Sequence, residues 1–210
     1  GVPVMPPEVQ GRPAGNVTRT LTPAGIPETG INMGCCRSSV NSGRRWSGMV
    51  VDSDAFRALM RQFPAGVTIV TFDDDGMLGG LTVSSFCSLS MEPPLVLVCI
   101  DNGVASHDAI ARAGTFGVSI CTVDQGQLAW DFANPKQDKQ ALLEATPHSL
   151  ADGGAPLLDD CVATMTCSVV AAHEAGDHTI YVGQIESGAV DDSREPLAYC
   201  RSGLGSFTPA

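Results

Sequence analysis

The clearest pattern in this chain begins near residue 53 and changes period twice before residue 90. Phe56, Leu59, Met60 and Phe63 recur at the spacing of one helical face. Ser53 stands where a cap belongs, Asp54 falls in the first turn and Pro64 closes the stripe, so a helix is predicted here. The run Gly66 to Phe72 is β-branched and leads to Asp75-Gly76, a hairpin signal, with Leu81 to Phe86 as the return strand. Leu95 to Ile100 follows Pro93-Pro94 and predicts a fully buried strand. Ala105 to Ala113 predicts a short helix, Phe116 to Cys121 a strand, and Asp124 to Ala133 a helix carrying Leu128, Trp130 and Phe132. Residues 134–160 read as loop. Ala163, Met165, Cys167 and Val169 then alternate with Thr164, Thr166 and Ser168, the period of a strand with one face in the core. A turn over His173 to Asp177 leads into a strand from His178 to Glu186, and a last short strand surrounds Leu197 to Cys200. Short helices between many strands predict a mainly β fold, an antiparallel barrel with peripheral helices rather than a βαβ sheet.

Residues 1–49 share none of this. They are rich in Gly, Pro, Ser and Thr, and five arginines against two glutamates give them a net +3, leaving −14 for the rest of a chain whose formal charge is −11. They are expected to be an extension outside the core, with residues 50–210 as the domain proper; an arm that wraps a partner subunit is the alternative. The acidic balance disfavours nucleic acid and anionic membrane surfaces as partners. No apolar run approaches the ~20 residues of a membrane helix, and no secretory leader is read at the N-terminus. None of the eight cysteines forms a Cys-x-x-Cys pair, and most sit in apolar runs, as buried thiols do in a reducing cytoplasm.

Three segments are polar without being charged: Phe63 to Val67, Thr82 to Ser90, and Asp101 to His107. The second offers hydroxyls on both sides of a strand. The third is a turn entering a helix, whose free N–H groups make an anion site. Together they suit a phosphorylated planar ligand, although Ser and Thr are also ordinary strand and cap residues. His178, beside Gly176 and Asp177, either hydrogen-bonds a ligand, acts as an acid, or is simply a strand-end histidine in solvent. The four histidines have no metal-ligand spacing, so no metal site is expected. There is no nucleophile elbow, no phosphate-binding loop of the Walker type and no dinucleotide fingerprint after the first strand.

These segments in this order resemble the short-chain flavin reductase family, the reductase components of two-component flavin-dependent monooxygenases. The matching pieces are Phe56-Arg57 to Val70, Thr82-Val83-Ser84-Ser85-Phe86 with Pro93-Pro94-Leu95-Val96, Asp101 to His107, Phe116-Gly117-Val118, Leu128 to Ala133, and Gly176-Asp177-His178-Thr179-Ile180 with Gly183. The resemblance implies a split-barrel homodimer that reduces FMN or FAD with NADH or NADPH and supplies reduced flavin to a monooxygenase. It implies that Pro64, Ala65 and Gly66 border the flavin ring, and that Thr82, Val83, Ser84 and Ser85 serve ring and ribityl chain. Ser88, Ser106 and His107 would then lie near the phosphate beside Asp101. Gly176, Asp177 and His178 would face the nicotinamide, with His178 in a positioning role and donating a hydrogen bond to it. The chain departs from the family pattern at Ala65, where a Thr is common, and at Leu204, where an aromatic is common. A flavin-dependent oxidase or ferric reductase on the same barrel, or a non-enzymic flavin carrier, are the alternatives.

Overall fold

The computed structural model describes residues 51–150 and 154–207, so the expected extension over residues 1–49 lies outside the described residues. Helix α1 (Ser53–Met60) is followed by β1 (Ala65–Gly66), β2 (Thr68–Asp74), β3 (Met77–Val83), β4 (Phe86–Met91) and β5 (Pro94–Asp101). Helix α2 (Ala105–Ala113), β6 (Thr115–Ile120), α3 (Gly126–Ala133) and α4 (Lys139–Ala145) come next, then the ribbon β7 (His148–Leu150) and β8 (Pro156–Leu158). The long pair β9 (Ala163–Ala175) and β10 (His178–Val190) precedes β11 (Leu197–Cys200) and β12 (Gly203–Ser206).

Seven strands form one antiparallel sheet in the order β3-β2-β6-β9-β10-β5-β4. The two edge strands of that order, β3 and β4, are consecutive in the chain and joined only by Ser84 and Ser85. The three Cα steps from Val83 to Phe86 span no more than ~11 Å, so the sheet has to curl until these strand ends approach. The expected barrel is therefore present, and its seam is the Ser84-Ser85 link. The reading of Leu81 to Phe86 as a single strand is corrected here: the chain breaks at the two serines, and Ser85 turns to bond the neighbouring strand, its Oγ donating to Cys99 O at 2.9 Å. β1, β11 and β12 form a separate three-stranded sheet.

The Asp75-Gly76 hairpin is as expected. Both residues have positive φ, +54° and +87°, the type I′ geometry whose twist matches the flanking strands. β2 feeds two cores. Val70 and Phe72 join Val98, Ile100, Phe116, Val118 and Tyr181 in one cluster, with Ala109 and Ile110 of α2. Val67 and Ile69 join Phe132, Leu143, Leu158 and Leu197 in the other. This is why its residues are buried on both faces.

Several sequence expectations need correction. Asp52, not Ser53, caps α1, its carboxylate accepting from Ala55 N at 2.7 Å. The apolar stripe of that helix faces solvent: Phe56, Leu59, Met60 and Phe63 are exposed and Ala55 is the residue that is buried. Periodicity records a face, not what covers it. β5 is not wholly buried; Val96, Val98 and Ile100 alternate with partly exposed neighbours because the barrel has one inner face. Residues 134–160 are not all loop. Asp138 caps α4, accepting from Ala141 N at 3.1 Å, and Leu143 fills the second core.

Candidate functional site

A cavity of about 620 Å³ opens at the seam, within the range typical of small-molecule sites. Three strands and three helices meet there. Thr82, Val83, Ser84 and Ser85 come from the β3–β4 seam, Asp101 from the end of β5, and Ser106 from the start of α2. His178 comes from the start of β10. It lies opposite Asp101 in the β5–β10 ladder, so sheet register alone brings residues 77 apart in sequence to one place. A further stretch of wall, which sequence reasoning missed, is Phe132, Ala133, Pro135, Gln137 and Lys139. Its Asn134-Pro135 step reads only as a turn, and nothing in the pattern aims it at the seam.

Other predicted residues stand elsewhere. Ala65 and Gly66 pair with Tyr199 and Ala198 in the small sheet, and Pro64 precedes them; none lines the cavity. They adjoin a second, more apolar recess of about 230 Å³ lined by Val67, Ala129, Trp130, Tyr199 and Leu204. That recess shares Thr82, Ser84 and Ala133 with the cavity, so the two lie side by side. Trp130 and Tyr199 meet edge to face at 6.4 Å beside Leu204, which supplies aromatic surface where residue 204 itself has none. Ser88 is exposed on β4, away from the lining. Gly176 provides the left-handed turn position, φ +68°, that delivers Asp177 and His178.

His107 does not line the cavity; it braces the turn behind it. Its Nε2 lies 3.0 Å from Thr179 Oγ1, and that hydroxyl donates to Asn102 Oδ1 at 2.9 Å. The other His107 ring nitrogen, Nδ1, lies 2.8 Å from Asp108 Oδ1. Tyr181 Oη donates to His107 O at 3.0 Å, and the two rings meet edge to face at 5.6 Å. The Asp101–His107 turn is thus fixed to β10 from beneath, leaving its upper surface to the cavity.

That surface favours anions. Helix α2 has Val104 at its N-cap and no side-chain cap; the His107 N–H bonds back to Val104 O at 3.0 Å, so it is the N–H groups of Ala105 and Ser106 that are left for a ligand. Asp101 is already engaged, its Oδ1 accepting from Gly103 N at 2.7 Å. Thr82 Oγ1 donates to Ala129 O at 2.6 Å, tying β3 to α3.

His178 is 43% exposed, and its Nδ1 lies 2.7 Å from Asp177 Oδ1. A carboxylate only accepts, so Nδ1 carries the proton. This bond holds the Asp177 carboxyl below the usual carboxylate range. The sequence reading has His178 donating to a ligand; with Nδ1 turned to Asp177, a neutral ring would instead offer Nε2 to an amide N–H or a hydroxyl. Among the described residues no cluster of His, Cys, Asp or Glu is arranged to hold a metal ion, and no helix is long and apolar enough to cross a membrane.

The flavin reductase like domain matches residues 60–208, and the chain belongs to that family. A flavin reductase of Pseudomonas putida is 35% identical over 158 residues, 75% of this chain and 91% of that one. The reductase component of the 4-nitrophenol 4-monooxygenase/4-nitrocatechol 2-monooxygenase of Rhodococcus opacus is 38% identical over 76% of this chain and 83% of its own. Among solved structures, the NADH:FAD oxidoreductase SgcE6 of Streptomyces globisporus C-1027, in complex with NAD and FAD fragments, superposes with a TM-score of 0.70. It is 31% identical over 77% of this chain and 98% of that one. The fold is the split barrel of these flavin reductases.

Proposed function

We propose that this protein reduces a freely exchanging flavin, FMN or FAD, with NADH or NADPH and releases the reduced flavin to a monooxygenase component. The observation that carries the reading is the seam cavity: hydroxyls and an uncapped helix start line it, and an apolar, aromatic recess adjoins it, in a chain of the flavin reductase family. A phosphorylated, planar, two-faced ligand suits such a space. Relatives named as monooxygenase reductase components, and one whose structure holds NAD and FAD fragments, support it.

In this reading Ser106 and the start of α2 hold the flavin phosphate. Thr82 to Ser85 border the ring and ribityl chain, and the Gly176–His178 turn meets the nicotinamide. Flavin and nicotinamide carry the redox chemistry between them, a hydride passing from nicotinamide C4 to flavin N5. The protein's part is to stack the two rings at roughly 3–3.5 Å and to keep water out. No side chain needs to gain or lose a proton for the transfer, so His178 positions the nicotinamide. The protein acts as a homodimer, and the solvent-facing apolar residues of α1 are available to such an interface.

The test is anaerobic. Protein is mixed with NADH or NADPH and with FMN or FAD, and the nicotinamide absorbance is followed. Loss well above the protein-free rate is expected, with catalytic turnover of added flavin. A protein that binds flavin but consumes no nucleotide is a carrier, and that result overturns the proposal.

A further inference from the structure

Lys139 breaks a local rule. It is the first residue of α4, where a cation meets the positive end of the helix dipole and is disfavoured. Its ammonium instead reaches back to the C-terminal end of α3. It donates to Asp131 O at 2.8 Å, Phe132 O at 2.8 Å and Asn134 O at 2.7 Å. Helix ends leave such carbonyls short of donors; Asp131 O and Asn134 O otherwise accept only from Asn134 N and Gln137 N. An ammonium has three hydrogens, and all three are spent. The same nitrogen sits 5.9 Å from the centroid of the Phe132 ring. Lys139 thus ties the end of one helix to the start of the next, and that stretch lines the cavity through Ala133, Pro135 and Gln137. It is also the one lysine or arginine among the described residues that line the cavity.

We propose that Lys139 is a positioning residue: it clamps the 131–137 wall at the width that fits the ligand, through three convergent hydrogen bonds rather than through its charge acting on the ligand. The consequence for the flavin rests on the function proposed above; the clamp itself does not. Arginine keeps the charge, but its planar fork cannot converge on three carbonyls from one atom, so Lys139→Arg separates the two properties.

The experiment compares full-length protein with Lys139→Met and Lys139→Arg in two ways. Amide hydrogen exchange reads the clamp. The amides of Asn134, bonded to Trp130 O, and Gln137, bonded to Asn134 O, lie within the wall. Both variants should exchange there about tenfold faster or more, while core amides of β6 and β10 stay as they were. Steady-state reduction reads the site. The KM for flavin should rise about tenfold, the equivalent of one hydrogen bond between wall and ligand, with kcat within about twofold. Unchanged exchange at 134 and 137, or faster exchange across the whole barrel, overturns the clamp. Faster exchange with an unmoved flavin KM overturns its link to the site. Recovery of flavin KM in Lys139→Arg shows that charge, not convergence, is what matters, and overturns the proposal equally. If the parent protein reduces no flavin, the proposed function fails, and the exchange measurements alone still decide the clamp.

Discussion

Replacing His178 with alanine tests the chemistry assigned to the seam. The ring lines the cavity, and its Nδ1–H is committed to Asp177 Oδ1 at 2.7 Å, so a single atom, Nε2, is left to meet a ligand. One neutral hydrogen bond is worth roughly 0.5–1.5 kcal/mol net. His178→Ala should therefore raise the KM for the nicotinamide nucleotide about 2- to 12-fold. Flavin affinity should barely move, because the groups assigned to flavin come from β3, the seam and α2. Asp177→Ala frees Nδ1 and lets the ring take either tautomer, so it should shift the same KM in the same direction by less. The assay is steady-state oxidation of NADH at saturating flavin, beside an independent flavin titration. A proton donor at this position predicts a different result, a fall in kcat of about 10²–10⁴. A solvated strand end predicts no change in either constant. Weakened flavin binding with unchanged nucleotide kinetics would refute the placement of the two ligands.

Further outcomes follow from other parts of the fold. A Cβ added at Gly183 would meet the Phe116 ring and lie 2.9 Å from Cys167 Cβ. Overpacking of this kind costs about 1–3 kcal/mol, so Gly183→Ala should lower Tm by about 2–12 °C. Adding Phe116→Leu should recover part of that loss; a double variant no more stable than the sum of the two refutes the contact. Burial pushes the Cys121 and Cys167 thiols up to about 12, leaving roughly 10⁻⁴ of either as thiolate at pH 8. A thiol reagent at that pH, followed by peptide mass mapping, should label exposed Cys87 and spare both in the native protein; rapid labelling of either shows that the barrel opens. Deleting residues 1–49 should leave flavin reduction within a few-fold of the full chain, since no periodic signal lies there. A truncated protein that is folded yet inactive makes the segment an arm.

Much of the barrel is legible in the chain because its signals are local. Alternation from Ala163 to Val169 and the Asp75-Gly76 pair each identify an element from a few neighbours. What escapes is what depends on distant partners. Ser84 and Ser85 have the composition of a strand, and only the sheet order shows that they are its closing link. His107 is legible as a residue of the turn, but which way its ring points is decided by Thr179 and Tyr181, more than 70 residues later. The tautomer of His178 follows from a distance to Asp177 that sequence cannot supply. The wall from Phe132 to Lys139 contains one isolated turn signal and a lysine whose partners are main-chain carbonyls, and carbonyls leave no trace in residue identity.

A sheet that closes through hydrogen bonds all the way round has a circumference set by register, and a one-residue slip in any strand turns its side chains to the wrong face. This barrel closes through the chain itself at Ser84-Ser85. The width of its opening is set there by the number of residues in a link, and every ladder is indifferent to that number. A residue inserted between the two serines enlarges the mouth of the cavity and leaves the register of β2, β6, β9 and β10 untouched. The same insertion within β2 would exchange its two cores. The seam is therefore the place where such a protein can be refitted to a larger or smaller guest without being refolded.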